Sequence, residues 1–192
     1  MRWTNGYDTT MRSFVNVVET PGGGMHVDGF LQGITKQVRK AIEVAAINII
    51  MDHGGLTRQQ KDEIGDIYTK MQSNKDPVQN YYYDDLFHNA IMEAAGNKRL
   101  IEISNRMRLQ ISRARWLNFV LPERMGDAEK EHEKIQQALM KGDREACVES
   151  MSEHLNRSEQ NFQKVLSSPE YAPQFAMAMS YISSLSRKNR EK

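Results

Sequence analysis

Apolar residues recur at intervals of three and four along most of this chain, the spacing of a single buried helix face. Ile34, Val38, Ile42, Ala45 and Ile49 form the first stripe and Gly54-Gly55 stops it, which predicts a helix over about 34–53. Thr57 with Gln60 reads as a capping box that opens a second helix through Ile64, Ile67, Tyr68 and Met71, ending near Asn74. Asp76 then caps a third helix. It begins on Pro77, runs through Tyr81, Phe87 and Ile91, and stops at Gly96-Asn97. A fourth, over about 98–120, is expected to bury Leu100, Ile103, Met107, Ile111 and Leu117, with Pro122 closing it. The fifth, about 127–141, carries Ile135 and Leu139 before Gly142. Asp143 opens the sixth through Met151, Leu155, Phe162 and Val165. A last amphipathic stretch, about 170–187, carries Phe175, Met179, Ile182 and Leu185. Long helices joined by short loops imply an all-α fold, an antiparallel bundle of about six or seven helices.

Residues 1–33 have a different texture. Phe14, Val15, Val17 and Val18 read as a strand, and Thr20, Pro21 and Gly22 to Gly24 as a glycine turn, so the bundle has a short strand-and-turn appendage. The chain accordingly divides into 1–33, a helical domain over 34–168 and a C-terminal helical extension over 169–192.

Composition narrows the partners. With 26 Lys and Arg against 25 Asp and Glu over 192 residues, the formal charge is +1, so no global field favours nucleic acid or an anionic membrane. The basic tail of Arg187, Lys188, Arg190 and Lys192 is more readily a solvated helix end than a phosphate contact. A lone Cys147, no apolar signal segment and no run near ~20 apolar residues lead us to expect a cytoplasmic protein without a membrane span.

The chemistry lies in the histidines. Asp84 and His88 stand four apart on the third helix, in line with Tyr81 and Ile91; His132 shares the stripe of Ile135 and Leu139; His154 shares that of Cys147, Met151 and Phe162. Each alone reads as a hydrogen-bonded core histidine. Three inward imidazoles and a carboxylate from three helices can equally converge on a metal in a bundle core, and spacing alone leaves both readings open. Such an N3O set suits a divalent ion, zinc first, with nickel, manganese or iron as alternatives, and Cys147 is not expected to join it.

The segments VRKAIEVAA at 38–46, DDLFHNAIMEAAGNKRL at 84–100, EHEKIQQALMKGDREA at 131–146 and MSEHL at 151–155 resemble, in order and spacing, the FCD domain. This is the effector-sensing domain of FadR-subfamily GntR transcriptional regulators, and the likeness covers residues about 36–166. It implies a non-enzymatic, homodimeric sensor of a small organic-acid effector. Asp84, His88, His132 and His154 would be the ligands of a divalent metal, with Asp84 rather than Asp85 selected by the Asp-x-x-Phe-His pattern. It further implies effector contacts from Arg39 and from Arg113 or Arg115, whose guanidinium groups suit a carboxylate. A winged helix-turn-helix would precede such a sensor in a complete regulator, and residues 1–33 carry no recognition-helix pattern, so no direct DNA binding is expected from this chain.

Instead, SFVNVVETPGGGMHVDGF at 13–30 resembles the B subunit of type IIA topoisomerases through Phe14, Asn16, Thr20, Gly23, Gly24, His26, Gly29 and Phe30. No Asp-x-Gly-x-Gly motif or transducer lysine accompanies it. Gly22 to Gly24 lack the Lys-Ser/Thr of a phosphate loop and any evident helix start behind them. The alternatives to a sensor are a metal-dependent hydrolase using the same His and Asp residues and a non-catalytic topoisomerase B fragment.

Overall fold

The computed structural model describes residues 14–15, 18–19, 24–74, 76–107 and 122–167. Among them the fold is an all-α bundle of six helices: α1 (Gly24–Asp52), α2 (Arg58–Ser73), α3 (Pro77–Ala94), α4 (Lys98–Arg106), α5 (Pro122–Lys141) and α6 (Arg144–Ser167). The predicted strand is a minimal hairpin, β1 (Phe14–Val15) antiparallel to β2 (Val18–Glu19), with Phe14 opposite Glu19 and Val15 opposite Val18. Pairing within the segment satisfies backbone groups that a lone strand would leave open.

Local signals set most helix ends. The capping box of α2 is complete: Gln60 N–H donates to Thr57 Oγ1 at 3.3 Å, and Thr57 N–H donates to Gln60 Oε1 at 2.9 Å. Asp76 Oδ1 accepts from Val78 N–H, Asn97 Oδ1 from Arg99 and Leu100, and Asp143 Oδ1 from Ala146, which caps α3, α4 and α6. The stop after α5 needs a left-handed residue, and Gly142 supplies it at φ 73°. Gly142→Ala is therefore expected to lower stability by ~1 kcal/mol, although no atom stands in the way of a new Cβ; urea denaturation measures it, and an unchanged midpoint would contradict a conformational origin.

Three boundaries differ from the sequence reading. α1 begins at Gly24, ten positions before Ile34, so a helix start does lie directly behind Gly22 and Gly23. Gly24, Gly29 and Gly33 dilute the apolar pattern there, and glycine is a weak helix former. Pro122, expected to close the fourth helix, is the first residue of α5; a residue without an N–H suits a first turn, where that donor has no intrahelical partner. The helix expected over about 98–120 is described only as α4, which buries none of its residues and leaves Ile103 exposed. Ile111 and Leu117, and the segment expected over about 170–187, lie outside the described residues.

Short connections make α1 antiparallel to α2 and α2 to α3, so α1 and α3 run the same way. α6 runs against α1: Arg144 pairs with Asp52 at one end, while Lys40 meets Asn156 at 3.2 Å and Lys36 meets Glu159 at 3.4 Å towards the other. α5, joined to α6 across Gly142, runs parallel to α1 and α3. The apolar core is built by Ile42, Ala46, Ile47 and Ile50 of α1, Ile64 of α2, Phe87, Ile91 and Met92 of α3, Ile135 and Leu139 of α5, and Cys147 and Met151 of α6. On α1 this face is rotated slightly from the expected stripe, for Ala45 and Ile49 are only half-buried.

Candidate metal centre

Asp84 and His88 enter the bundle from α3, His132 from α5 and His154 from α6, and none is more than 3% exposed. One ligand atom from each lies within 4.8 Å of all the others. His132 Nε2 is 3.0 Å from Asp84 Oδ1 and 3.4 Å from His88 Nε2, and His88 Nε2 is 3.8 Å from the same carboxylate oxygen. Two nitrogens each bound at ~2.0–2.1 Å to one tetrahedral ion stand about 3.4 Å apart, so the His88–His132 separation already suits a shared cation. The imidazole of His154 stacks on that of His88 with centroids 5.2 Å apart and lies 4.5 Å from that of His132. Phe87 meets the His132 ring edge-on at 5.4 Å and screens it from the core side.

Two acids absent from the candidate residues orient this set. Glu43 of α1 takes His88 Nδ1 at 2.6 Å, and Glu131 of α5 takes His154 Nδ1 at 2.9 Å; both are buried. With the Nδ1 proton held by a carboxylate, each imidazole turns its Nε2 lone pair inward. This is the histidine–carboxylate arrangement that fixes tautomer and raises ligand basicity at metal sites. A signal for both was present in the sequence: Glu43 shares a helical stripe with Ile42, Ala46 and Ile50, and Glu131 with Ala128, Ile135 and Ala138. A carboxylate on an apolar stripe requires a partner.

Arg39 is buried, and its Nε donates to Glu43 Oε1 at 2.6 Å. The expected effector arginine on α1 thus joins the cluster through Glu43 instead of standing in solvent. Arg113 and Arg115 lie outside the described residues. Cys147 belongs to the core, where burial first and Asp143 second push its thiol up to about 12, and it is not one of the four residues that converge. His53 is exposed at the end of α1.

Burial pushes the His154 imidazole down to about 3, reinforced by the neighbouring imidazoles and partly opposed by its hydrogen bond to Glu131. The neutral ring this favours is the form a metal requires. Between pH ~6.5 and about 3 the unfolded chain binds a proton at His154 that the folded chain does not, so stability rises with pH across that window. The metal-free protein is expected to lose up to ~1.4 kcal/mol per pH unit from this residue on acidification below about 6.5, less in His154→Gln. Urea midpoints in EDTA from pH 4 to 8 measure this; parallel profiles for the two proteins would refute it.

The fold and the cluster together define a class, an all-helical bundle that buries an acid and three imidazoles able to hold a metal ion at its centre. The FCD domain model matches residues 36–157, well over half of the 192-residue chain, and the chain belongs to the FCD domain family. It therefore carries the effector-binding regulatory domain of GntR-type transcription regulators, a ligand-sensing domain and not an enzyme. A 48-residue stretch, 25% of the chain, is 40% identical to the B subunit of DNA gyrase from Borreliella burgdorferi, and the match covers about 8% of that protein's length. Among the described residues no helix is long and apolar enough to cross a membrane.

Proposed function

We propose that this domain is a metal-dependent sensor of small carboxylates. Asp84, His88, His132 and His154 would hold one divalent cation, with zinc the first choice for an N3O set and nickel, manganese or iron the alternatives. The observation that carries the reading is the convergence of these four buried side chains, with carboxylates behind His88 and His154. When bound, the ion would offer an acid effector coordination positions that the four side chains leave open. Arg39, with Arg113 and Arg115, would supply guanidinium groups to the effector carboxylate. Because the ligands come from α3, α5 and α6, occupancy of the site would couple to the relative placement of these helices and, in a homodimer, to the surface between copies.

Within the same proposal, residues 34–168 form the sensing unit, 1–33 a topoisomerase-B-like appendage and 169–192 a C-terminal helical extension. The family match over 36–157 supports the first of these. A topoisomerase fragment is the weaker reading, since its similarity spans a quarter of the chain. The test is calorimetric titration of a panel of C2–C6 organic acids into the full chain, once loaded with zinc and once stripped with EDTA, alongside metal analysis. We expect one stoichiometric divalent ion and acid binding only in the loaded form. Equal acid affinity in both forms would sink the proposal.

A further inference from the structure

One helical turn beyond the four metal-competent residues, the bundle changes character, and it does so on one side only. α3 and α5 run with α1, and α6 runs against it, so stepping towards the start of α1 leads from Asp84 to Asn80, from His132 to Ala128 and from His154 to Ser158. These three are 1%, 4% and 3% exposed. Stepping the other way leads to Met92, Ile135 and Met151, all apolar and buried. The cluster therefore has an apolar floor and, above it, a buried layer of an amide, a hydroxyl and a methyl.

Asn80 is the informative member. It lies on the stripe of Asp84 and His88, four and eight positions before them, which places it above the cluster on the same face of α3. Among the described residues its Oδ1 is buried without a hydrogen-bond partner. An amide kept from water in this way is destabilising unless something meets it, and an apolar side chain would fill the same space without that penalty. Ala128, one turn before His132 on α5, is buried and brings only a methyl group to this level. Ser158 adds a second short polar group at this level, on the stripe of His154.

We propose that Asn80, Ala128 and Ser158 form a specificity subsite beside the metal that reads a hydroxyl group, so that the preferred effectors are hydroxylated carboxylic acids and not plain ones. The inference rests on the metal-dependent sensor reading above. A hydroxyl both donates and accepts, so it satisfies the Asn80 amide in either orientation of that group and can also bond to Ser158. The carboxylate of the same molecule would take the metal and the arginines, leaving the carbon skeleton to span about one helical turn. A site built to bond a hydroxyl discriminates against the analogue that lacks it, because the buried amide is then left unsatisfied.

Matched acids that differ by one hydroxyl placed away from the carboxylate, propanoate against 3-hydroxypropanoate and butanoate against 4-hydroxybutanoate with their C5–C6 counterparts, are titrated into the zinc-loaded full chain. The wild type is expected to favour the hydroxylated member of at least one pair by about tenfold or more. Asn80→Leu should bring that ratio to about one while keeping stoichiometric zinc and a melting temperature no lower than wild type. A merely structural asparagine predicts instead a lower melting temperature with the preference intact. Ser158→Ala, which removes a single oxygen, should reduce the ratio several-fold and serves as the readout if Asn80→Leu does not fold. Tight binding of both members with a ratio near one, or a preference that survives both substitutions, overturns the subsite and leaves the sensor standing. Absence of zinc uptake, or binding of no acid in the panel, overturns the sensor reading and the subsite with it.

Discussion

Zinc added to the metal-free full chain is expected to raise its melting temperature by about 5–10 °C, and His132→Ala is expected to abolish that rise. A ligand that binds only the folded state stabilises by ~2.7 kcal/mol at a concentration 100 times its Kd, and in a chain of this size each kcal/mol moves the melting temperature by about 2–4 °C. His132 is the sensitive position because its Nε2 stands between the Asp84 carboxylate, 3.0 Å away, and His88 Nε2, 3.4 Å away. Without it the remaining ligands have a gap where the third nitrogen stood. His132→Ala also lowers the baseline stability through the space it leaves beside Phe87, so the diagnostic quantity is the zinc-induced increment and not the melting temperature itself. His53→Ala, at an exposed histidine outside the cluster, should retain the full increment. Equal increments in wild type and His132→Ala, measured by differential scanning calorimetry with and without EDTA, would rule out the proposed ligand set.

The second large effect is expected at a residue that touches no metal. Glu43→Ala should destabilise the metal-free protein by on the order of 3 kcal/mol, a sizeable share of the ~5–15 kcal/mol that holds an ordinary domain together. Glu43 has two buried dependants: its Oε1 accepts from Arg39 Nε and its Oε2 takes His88 Nδ1, each at 2.6 Å. Removing the carboxylate takes a counter-ion from a buried guanidinium and an acceptor from a buried imidazole, and both losses carry a desolvation penalty. Glu43→Gln should fall between wild type and Glu43→Ala, because the amide oxygen still accepts one bond but brings no charge. Arg39→Met combined with Glu43→Gln should recover part of the loss of the single Gln variant, since the two positions couple through their shared contact. Zinc affinity should fall ~10–100-fold in Glu43→Gln, because His88 loses the partner that holds its tautomer. Urea denaturation gives the stabilities and competition with a chelator gives the affinity. A Glu43→Ala variant as stable as wild type would remove Glu43 from the framework of the site.

These residues show how far the sequence reaches. Asp84, His88, His132 and His154 were legible as inward-facing because each shares a 3.6-residue stripe with known apolar neighbours, and the family motifs placed them in order. Thr57, Asp76 and Asp143 were legible as caps because a cap needs only its own next three residues. Glu43 and Glu131 sit on equally apolar stripes but were missed, since a lone acid gives no hint of the imidazole it will meet 45 or 23 positions away. Ile103 misled in the opposite direction. Its spacing fitted a buried face, yet a helix face is buried only where another element covers it, and among the described residues α4 buries none of its side chains. Pro122 was ambiguous in principle, because proline is compatible with the end of one helix and with the first turn of the next.

By itself, the order of residues along the chain determined most of the helical positions, where several of the helices start and stop, and which face most of them turn inward. All of these depend on neighbours within about four residues. Only the tertiary structure decided that ligand atoms of four side chains from three helices come within 4.8 Å of one another, that Glu43 and Glu131 stand behind two of them, and that Asn80 is buried with an acceptor that has no hydrogen-bond partner among the described residues. Periodicity fixes the rotation of a side chain about its own helix axis. It carries no information about which residue of another helix stands at the same height, and that register is set by the loops and by the packing of the whole bundle.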